Sequence, residues 1–471
     1  MISGTRRTKI VCTIGPASSS PEMVGRLVEA GMDAARLNFS HGEHGEHAEH
    51  AEFVRDAERQ ANRPLALIAD LQGPKLRVGE LPGPRELETG EEVIVTGDGA
   101  RNGELPVSPP GLSQVLRPGD QVLIDDGLVR LRVDAVEGGR VRTTVLVGGE
   151  VSSRKGVNVP GVPIPVPSVT DKDRADLEFA LSLGIDYVAL SFVRSANDVR
   201  HLRELLHEAG STAQVIAKIE KAEALDDLSG ILRLSDAVMV ARGDLGVEIG
   251  PEEVPLVQKR ILLAALERGK PAITATQMLE SMIHHAEPTR AEASDVANAV
   301  LDGTSAVMLS GETAIGDYPI ESVTTMDRIA RAVEPSLGYR HELNIHPDEP
   351  YSSVGDAMSN AACDIAEALD AKAILVPTYS GRTASSVARH RPRRPVIAVT
   401  HKHHAARQLA IEWGIVPGVI EECRDIEHLW ARSMEAARAT GIVAHGDRIV
   451  ITAGTAVNVP GTTNLIKVET A

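Results

Sequence analysis

The chain has 471 residues, 42% of them hydrophobic and 24% charged, as in an ordinary globular protein with room for about three domains. Its formal net charge of −17 and 2% aromatic content argue against nucleic-acid or anionic-membrane binding and against aromatic stacking platforms, so an anionic substrate requires a local basic pocket. Cys12, Cys363 and Cys423 are far apart and odd in number, which fits buried thiols in a reducing cytoplasm. The apolar patch Ile10–Ile14 is too short for a signal peptide, and no run approaches the ~20 residues of a membrane span.

In chain order, Lys9–Ile14 is an apolar run of strand type, and Ser20-Pro21 opens a helix that stops at Gly31. Ala34–Asn38 and Leu65–Asp70 follow as strand-like runs. Between them His41, His44, His47 and His50 recur at every third residue. Spacing by three drifts around a helix, so they read as solvated side chains and not as a metal tract. Residues 73–167 change texture: Gly, Pro and Val predominate, with hairpin-like runs at Gln121–Ile124 and Val141–Val147 and a tight turn at Glu137-Gly138-Gly139-Arg140. This predicts a small all-β module. Pro160, Pro163, Pro165 and Pro167 make its exit a stiff connector.

Thr170 with Asp173 then caps a helix ending near Gly184, and Thr289 with Glu292 caps one followed by Gly303. Strand-like runs recur at Tyr187–Ser191, Val215–Glu220, Ala237–Ala241, Ala272–Thr276 and Ala306–Ser310, making eight with the first three. Eight strand–helix units predict a (β/α)8 TIM barrel over residues 1–72 and 168–340, with the all-β module of residues 73–167 inserted after the third strand. Residues 341–471 begin with a polar linker, then alternate strands and helices as a separate α/β unit. His341-Glu342 with His346 misses zinc-protease spacing by one residue, and His401, His403 and His404 read as solvated.

A barrel of this kind places chemistry at the C-terminal ends of its strands, which hold Arg36, Asn38, Ser40, Asp70, Lys218, Glu220, Asp244, Thr276, Ser310 and Glu312. Ala217-Lys218-Ile219-Glu220 and Ala241-Arg242-Gly243-Asp244 each close an apolar run and bring a cation and two carboxylates to one rim. A lysine beside two acids suits phosphoryl chemistry through a divalent metal: the lysine stabilises moving negative charge and the hard oxygens hold the ion. No P-loop or Gly-x-Gly-x-x-Gly fingerprint competes. In the last unit, Thr378, Ser380, Gly381, Arg382 and Thr383 between a strand and a helix form a phosphate cradle.

Four blocks resemble the pyruvate kinases: Thr8–Ser18, Arg36-Leu37-Asn38-Phe39-Ser40-His41-Gly42, Ala275–Met282 and Met308-Leu309-Ser310-Gly311-Glu312-Thr313. They run in order along the chain. The resemblance implies the same plan of barrel, β lid and C-terminal regulatory domain, and a cytoplasmic enzyme transferring the phosphoryl group of phosphoenolpyruvate to ADP, giving pyruvate and ATP as the last step of glycolysis. It further implies a homotetramer and a phosphorylated allosteric effector at Thr378–Thr383. Neither a membrane nor a nucleic acid is an expected partner.

Carried over residue by residue, the resemblance assigns Mg²⁺ (or Mn²⁺) to Glu220 and Asp244, and catalysis to Lys218 with Arg36 and Thr276. It places substrate binding at Arg36, Lys218, Gly243, Asp244 and Thr276, and nucleotide binding at Asn38, Phe39, Ser40, His41, Arg77 and Lys155. Thr276, Ser310, Glu312 and an ordered water all remain candidates to protonate the enolate. One stretch departs from the K⁺-requiring branch: Leu71 replaces a hydroxyl residue and Lys75 a glutamate. Asn38, Ser40 and Asp70 remain as oxygen ligands for K⁺, and the Lys75 ammonium is expected to take that ion's place. A Mg²⁺-dependent lyase or aldolase of the phosphoenolpyruvate/pyruvate barrel type is the alternative, disfavoured by the lid cations Arg77 and Lys155, which such an enzyme does not need. A non-catalytic effector-binding protein is disfavoured by the complete set Lys218, Glu220, Asp244 and Thr276.

Overall fold

The computed structural model describes residues 6–97, 100–101, 103–164, 166–336, 353–454 and 463–471. Eight parallel strands close a barrel in chain order: Lys9–Ile14, Ala34–Asn38, Ala66–Asp70, Tyr187–Leu190, Gln214–Ile219, Ala237–Ala241, Ala272–Ala275 and Ala306–Leu309. Each matches an expected run to within a residue at either end. The strand Ala66–Asp70 pairs directly with Tyr187–Leu190, so the intervening residues leave the barrel and return without breaking its ladder. The helix ends follow local chemistry: Ser20, Thr170 and Thr289 accept N–H bonds from Met23, Asp173 and Glu292.

Seven strands between Leu76 and Asn158 close a second, smaller barrel. Its hairpin turns at Gly138 and Gly139, whose φ values of +57° and +83° are left-handed and cost glycine little. The inserted unit departs from an all-β reading by one turn of helix, Leu112–Val115. The Arg194 guanidinium donates to the carbonyls of Ile164 and Val166 at 2.8 and 2.9 Å, tying the exit connector to the barrel.

The last unit is a five-stranded sheet in the order Ile415–Val419, Val396–Thr400, Ala373–Pro377, Arg448–Gly454 and Thr463–Thr470, with only the last strand antiparallel. It reaches back into the first barrel. Ala410 and Ile411 pack with the barrel-interior residues Val11, Ile68, Tyr187 and Met239. The Tyr187 hydroxyl donates to the Gln408 carbonyl at 2.7 Å, and Lys9 Nζ to that of Ile415 at 2.6 Å. Among the described residues no helix is long and apolar enough to cross a membrane.

Candidate active site

Alternation along the strands decides which side chains reach the barrel axis. Ile216 packs in the interior, so Lys218 and Glu220, two and four residues on, face the same way at the mouth. By the same count Val11 leads to Thr13, Ala34 to Arg36, Ile68 to Asp70 and Ala189 to Ser191.

These side chains meet. Lys218 Nζ lies 2.9 Å from Glu220 Oε1 and 3.2 Å from Asp70 Oδ1, and donates to Ser191 Oγ at 2.7 Å. Arg36 Nε donates to Asp70 Oδ2 at 2.6 Å and its Nη1 to Thr13 Oγ1 at 3.0 Å. Glu220 Oε2 accepts the Phe192 N–H at 2.7 Å. Lys218, Asp70 and Glu220 are only 9%, 1% and 1% exposed, so the charges interact in a medium far less polar than water. Burial works against the Lys218 cation, but the Asp70 and Glu220 carboxylates outweigh it and raise the ammonium above the usual lysine range. Burial likewise disfavours the Asp70 anion, yet Lys218 and Arg36 hold its carboxyl below the usual range. Glu220 is pushed up by burial, with Lys218 pulling against that and the Asp244 carboxylate adding to it. The lysine is therefore a fixed cation at working pH.

Asp244 stands in the first turn of the helix Arg242–Ile249. Its Oδ1 pairs with Lys75 Nζ at 2.9 Å, and the same ammonium lies 5.8 Å from the Phe192 ring centre. Lys75 thus reaches the mouth and pairs with Asp244, while Asp70 is taken by Arg36 and Lys218. The Gly243 N–H donates to Thr276 Oγ1 at 2.9 Å. Glu312, 2% exposed and shifted up by burial, accepts the Ser310 and Leu279 N–H groups at 2.7 and 3.0 Å.

Among the residues expected to bind nucleotide, Asn38 Oδ1 accepts the Ser40 N–H at 3.2 Å. His41 is exposed, and its pKa is lowered by partial burial and then by Arg77, Arg36, Lys75 and Lys172. Arg36, Lys75 and Lys172 among these are paired with Asp70, Asp244 and Asp176. Arg77 faces Gly156 across antiparallel strands and its Nη1 donates to the Arg154 carbonyl at 3.1 Å, while Lys155 pairs with Asp125 at 2.8 Å. A cleft of about 910 Å³ separates lid residues such as Asp126 and Arg130 from Arg242 and Gly243 on the barrel.

The loop expected to cradle a phosphate borders a cavity of about 500 Å³ lined by Thr378, Tyr379, Ser380, Arg382 and Thr383. Gly381 has φ +83°, a left-handed angle that favours glycine, and a Cβ there would meet the Leu409 side chain at 3.2 Å. Its N–H donates to Thr378 Oγ1 at 3.1 Å.

The histidine tract corrects its sequence reading. His47 is buried, stacked on Phe39 at 4.3 Å with a ring nitrogen 3.0 Å from the His41 carbonyl. His44 stacks on Phe179 at 4.1 Å and bonds Asp176 at 2.8 Å. These two are packing residues because Phe39 and Phe179 cover that face of the helix. His401 likewise packs edge-on to Tyr379, whereas His403 is exposed. Among the described residues no group of three or more His, Cys, Asp or Glu converges as a metal site. His341, Glu342 and His346 lie outside the described residues. The free thiols Cys12, Cys363 and Cys423 are buried.

Sequence reasoning missed Ser191, Thr13 and the Phe192 N–H, which hold Lys218, Arg36 and Glu220. The two hydroxyls were findable, since each stands two residues after an interior residue of its strand; the backbone donor has no sequence signal.

Two family models match the chain: "Pyruvate kinase, barrel domain" over residues 5–323 and "Pyruvate kinase, alpha/beta domain" over residues 356–469. The chain is 47% identical over 468 residues to a pyruvate kinase of Mycobacterium tuberculosis, covering 99% of this chain and 98% of the relative. It is 43% identical to one of Clostridium acetobutylicum, covering 98% and 99%, and 46% identical to one of Sporosarcina psychrophila, covering 98% and 80%. With that extent of similarity across both models, and with the buried lysine–carboxylate cluster at the mouth of its barrel, the chain belongs to the pyruvate kinase family.

Proposed function

We propose that this chain works in the cytoplasm as a pyruvate kinase, moving the phosphoryl group of phosphoenolpyruvate to ADP, with the roles that follow. The observation that carries this reading is the Lys218 ammonium held between Asp70, Glu220 and Ser191 at the barrel mouth. Arg36 clamps the substrate phosphate with its remaining donors. The Gly243 and Asp244 end of its helix, with Thr276, receives the substrate carboxylate. Asn38 to His41 with Arg77 and Lys155 receive the nucleotide. The bond from phosphorus to the enol oxygen breaks as a terminal oxygen of ADP bonds to phosphorus. Lys218 neutralises charge on the transferring group and then on the enolate left behind, and positioned charge of this kind is the main lever in phosphoryl transfer. A proton then reaches the enolate carbon, releasing pyruvate.

Glu220 and Asp244 fit a divalent ion: both are hard-oxygen carboxylates, and they lie close enough for the Asp244 charge to raise the Glu220 pKa. Mg²⁺ or Mn²⁺ bound there supplies Lewis-acid polarisation and charge neutralisation. Lys75, already at the mouth, serves as the fixed monovalent charge, so turnover does not need K⁺. The cradle at Thr378–Thr383 takes a phosphorylated effector, and the assembly is a homotetramer.

Pyruvate formation from phosphoenolpyruvate and ADP with Mg²⁺, first in K⁺-free buffer and then with K⁺ added, tests both parts. Near-full activity without K⁺ is expected. Activity only with K⁺ removes the role of Lys75, and none in either buffer removes the reaction.

A further inference from the structure

Arg242 lies inside the Ala241-Arg242-Gly243-Asp244 motif, yet its side chain turns away from the substrate face toward the next strand end. We propose that Arg242 is a positioning residue that holds Thr276 in the conformation the carboxylate site requires. This rests on the reading of Thr276 as part of that site.

Thr276 and Gln277 have φ values of +67° and +54°. Two successive non-glycine residues in the left-handed region are costly, the more so when one is β-branched, and something outside the turn must hold them there. Arg242 supplies that hold. Its Nε lies 3.3 Å from both the Ala275 and Thr276 carbonyl oxygens. Its Nη2 donates to the Thr276 carbonyl at 2.7 Å and to that of Gln277 at 3.2 Å. Nη1 pairs with Asp295, on the helix Arg290–Leu301, at 2.7 Å. The Arg242 side chain is 9% exposed, so its charge is met mainly by these partners and not by water.

The left-handed turn sets three consecutive carbonyls toward one point, and a guanidinium is the side chain with enough donors in one plane to meet them all. The consequence reaches the substrate face through Thr276 Oγ1, which accepts from the Gly243 N–H at 2.9 Å and donates to the Ala275 carbonyl at 2.6 Å. Arg242 therefore grips the backbone of the turn while its neighbour Gly243 grips the hydroxyl. One strand end positions the other.

Arg242→Lys, Arg242→Ala and Asp295→Asn test this, together with Arg242→Ala/Gln277→Gly. Misplacing a binding group by about 1 Å costs on the order of 10²-fold, so Arg242→Ala should lose about that in kcat/KM for phosphoenolpyruvate while KM for ADP moves less than about twofold. Arg242→Lys should recover little, because the donors of one ammonium nitrogen radiate from a single point and cannot span the three carbonyls and Asp295 together, and Asp295→Asn should shift the same parameter by a smaller factor. Glycine adopts left-handed φ freely, so Gln277→Gly should restore about tenfold in the Arg242→Ala background. Wild-type kcat/KM for phosphoenolpyruvate in both arginine variants, or equal losses for both substrates with no rescue, overturns the proposal. A crystal structure of Arg242→Ala decides it independently of turnover. Thr276 or Gln277 should move to negative φ; both keeping positive φ would overturn the role of Arg242. If wild type itself made no pyruvate, the functional reading would fall, while those two φ angles would still judge Arg242.

Discussion

Lys218 shows how much of a site can rest on one side chain. It touches two buried carboxylates and a serine, and neither carboxylate is left alone when it goes: Asp70 keeps Arg36 and Glu220 keeps the Phe192 N–H. Lys218→Met is therefore expected to fold, to bind Mn²⁺ and phosphoenolpyruvate, and to lose turnover by on the order of 10³-fold, as when a positioned charge is removed from developing negative charge. Mn²⁺ titration followed by electron paramagnetic resonance, beside a turnover assay, separates these effects. Turnover close to wild type would take the lysine out of its assigned role. The residue types at this site were legible because lysine and glutamate end an apolar strand. That Asp70 is shared between Lys218 and Arg36 was not legible, because the sharing joins three strands that lie far apart in the chain.

At the scale of elements, period-two alternation inside the barrel turns a list of polar strand ends into a cluster. It also marks which polar groups brace the scaffold. Asp33, 6% exposed between a helix and its following strand, pairs with Arg6 and Arg63 at 2.8 Å each and accepts the Ile10 N–H at 2.9 Å. Burial opposes its charge, but Arg6, Lys9 and Arg63 prevail and hold the carboxyl at about 2. Its folded value lies below the unfolded one, so the carboxylate contributes stability above about pH 4, of about 2 kcal/mol, and this is lost as pH falls through about 2. Asp33→Asn should lower the urea midpoint at pH 7, with the gap to wild type narrowing between about pH 4 and pH 2. A gap that stays constant with pH would rule out the charge as its source. The histidine tract illustrates the opposite case. Its spacing was visible, but only the packed helix reveals that His47 is buried against Phe39 while a half-exposed His44 stacks on Phe179.

Across the whole molecule, the C-terminal unit is joined to the barrel by more than a linker. The helix that starts at the cradle, Arg382–Arg389, carries Ser385, which donates to Glu412 at 2.8 Å, and the chain just before Glu412 packs Ala410 and Ile411 into the barrel interior. A ligand in the 500 Å³ cavity thus lies one helix away from residues that touch the barrel core. Arg382→Ala should weaken binding of phosphorylated probes, AMP and a sugar phosphate, by on the order of tenfold through loss of a charge-assisted contact. Calorimetry on wild type and variant checks this, and equal affinities would reduce the cradle to a strand-to-helix turn.

Taken alone, the sequence determined the barrel, the inserted β unit, the third α/β unit and the residue types at the catalytic rim. Those follow from local signals: apolar runs of strand length, caps, turns and the residues that end each run. Tertiary structure alone decided that Lys75 pairs with Asp244, that Ser191 and the Phe192 N–H hold Lys218 and Glu220, and that Arg242 grips the turn at Thr276. Each of those contacts joins residues brought together only when the barrel closes, and the energy that selects them, desolvation offset by hydrogen bonds and opposite charge, exists only in the packed interior.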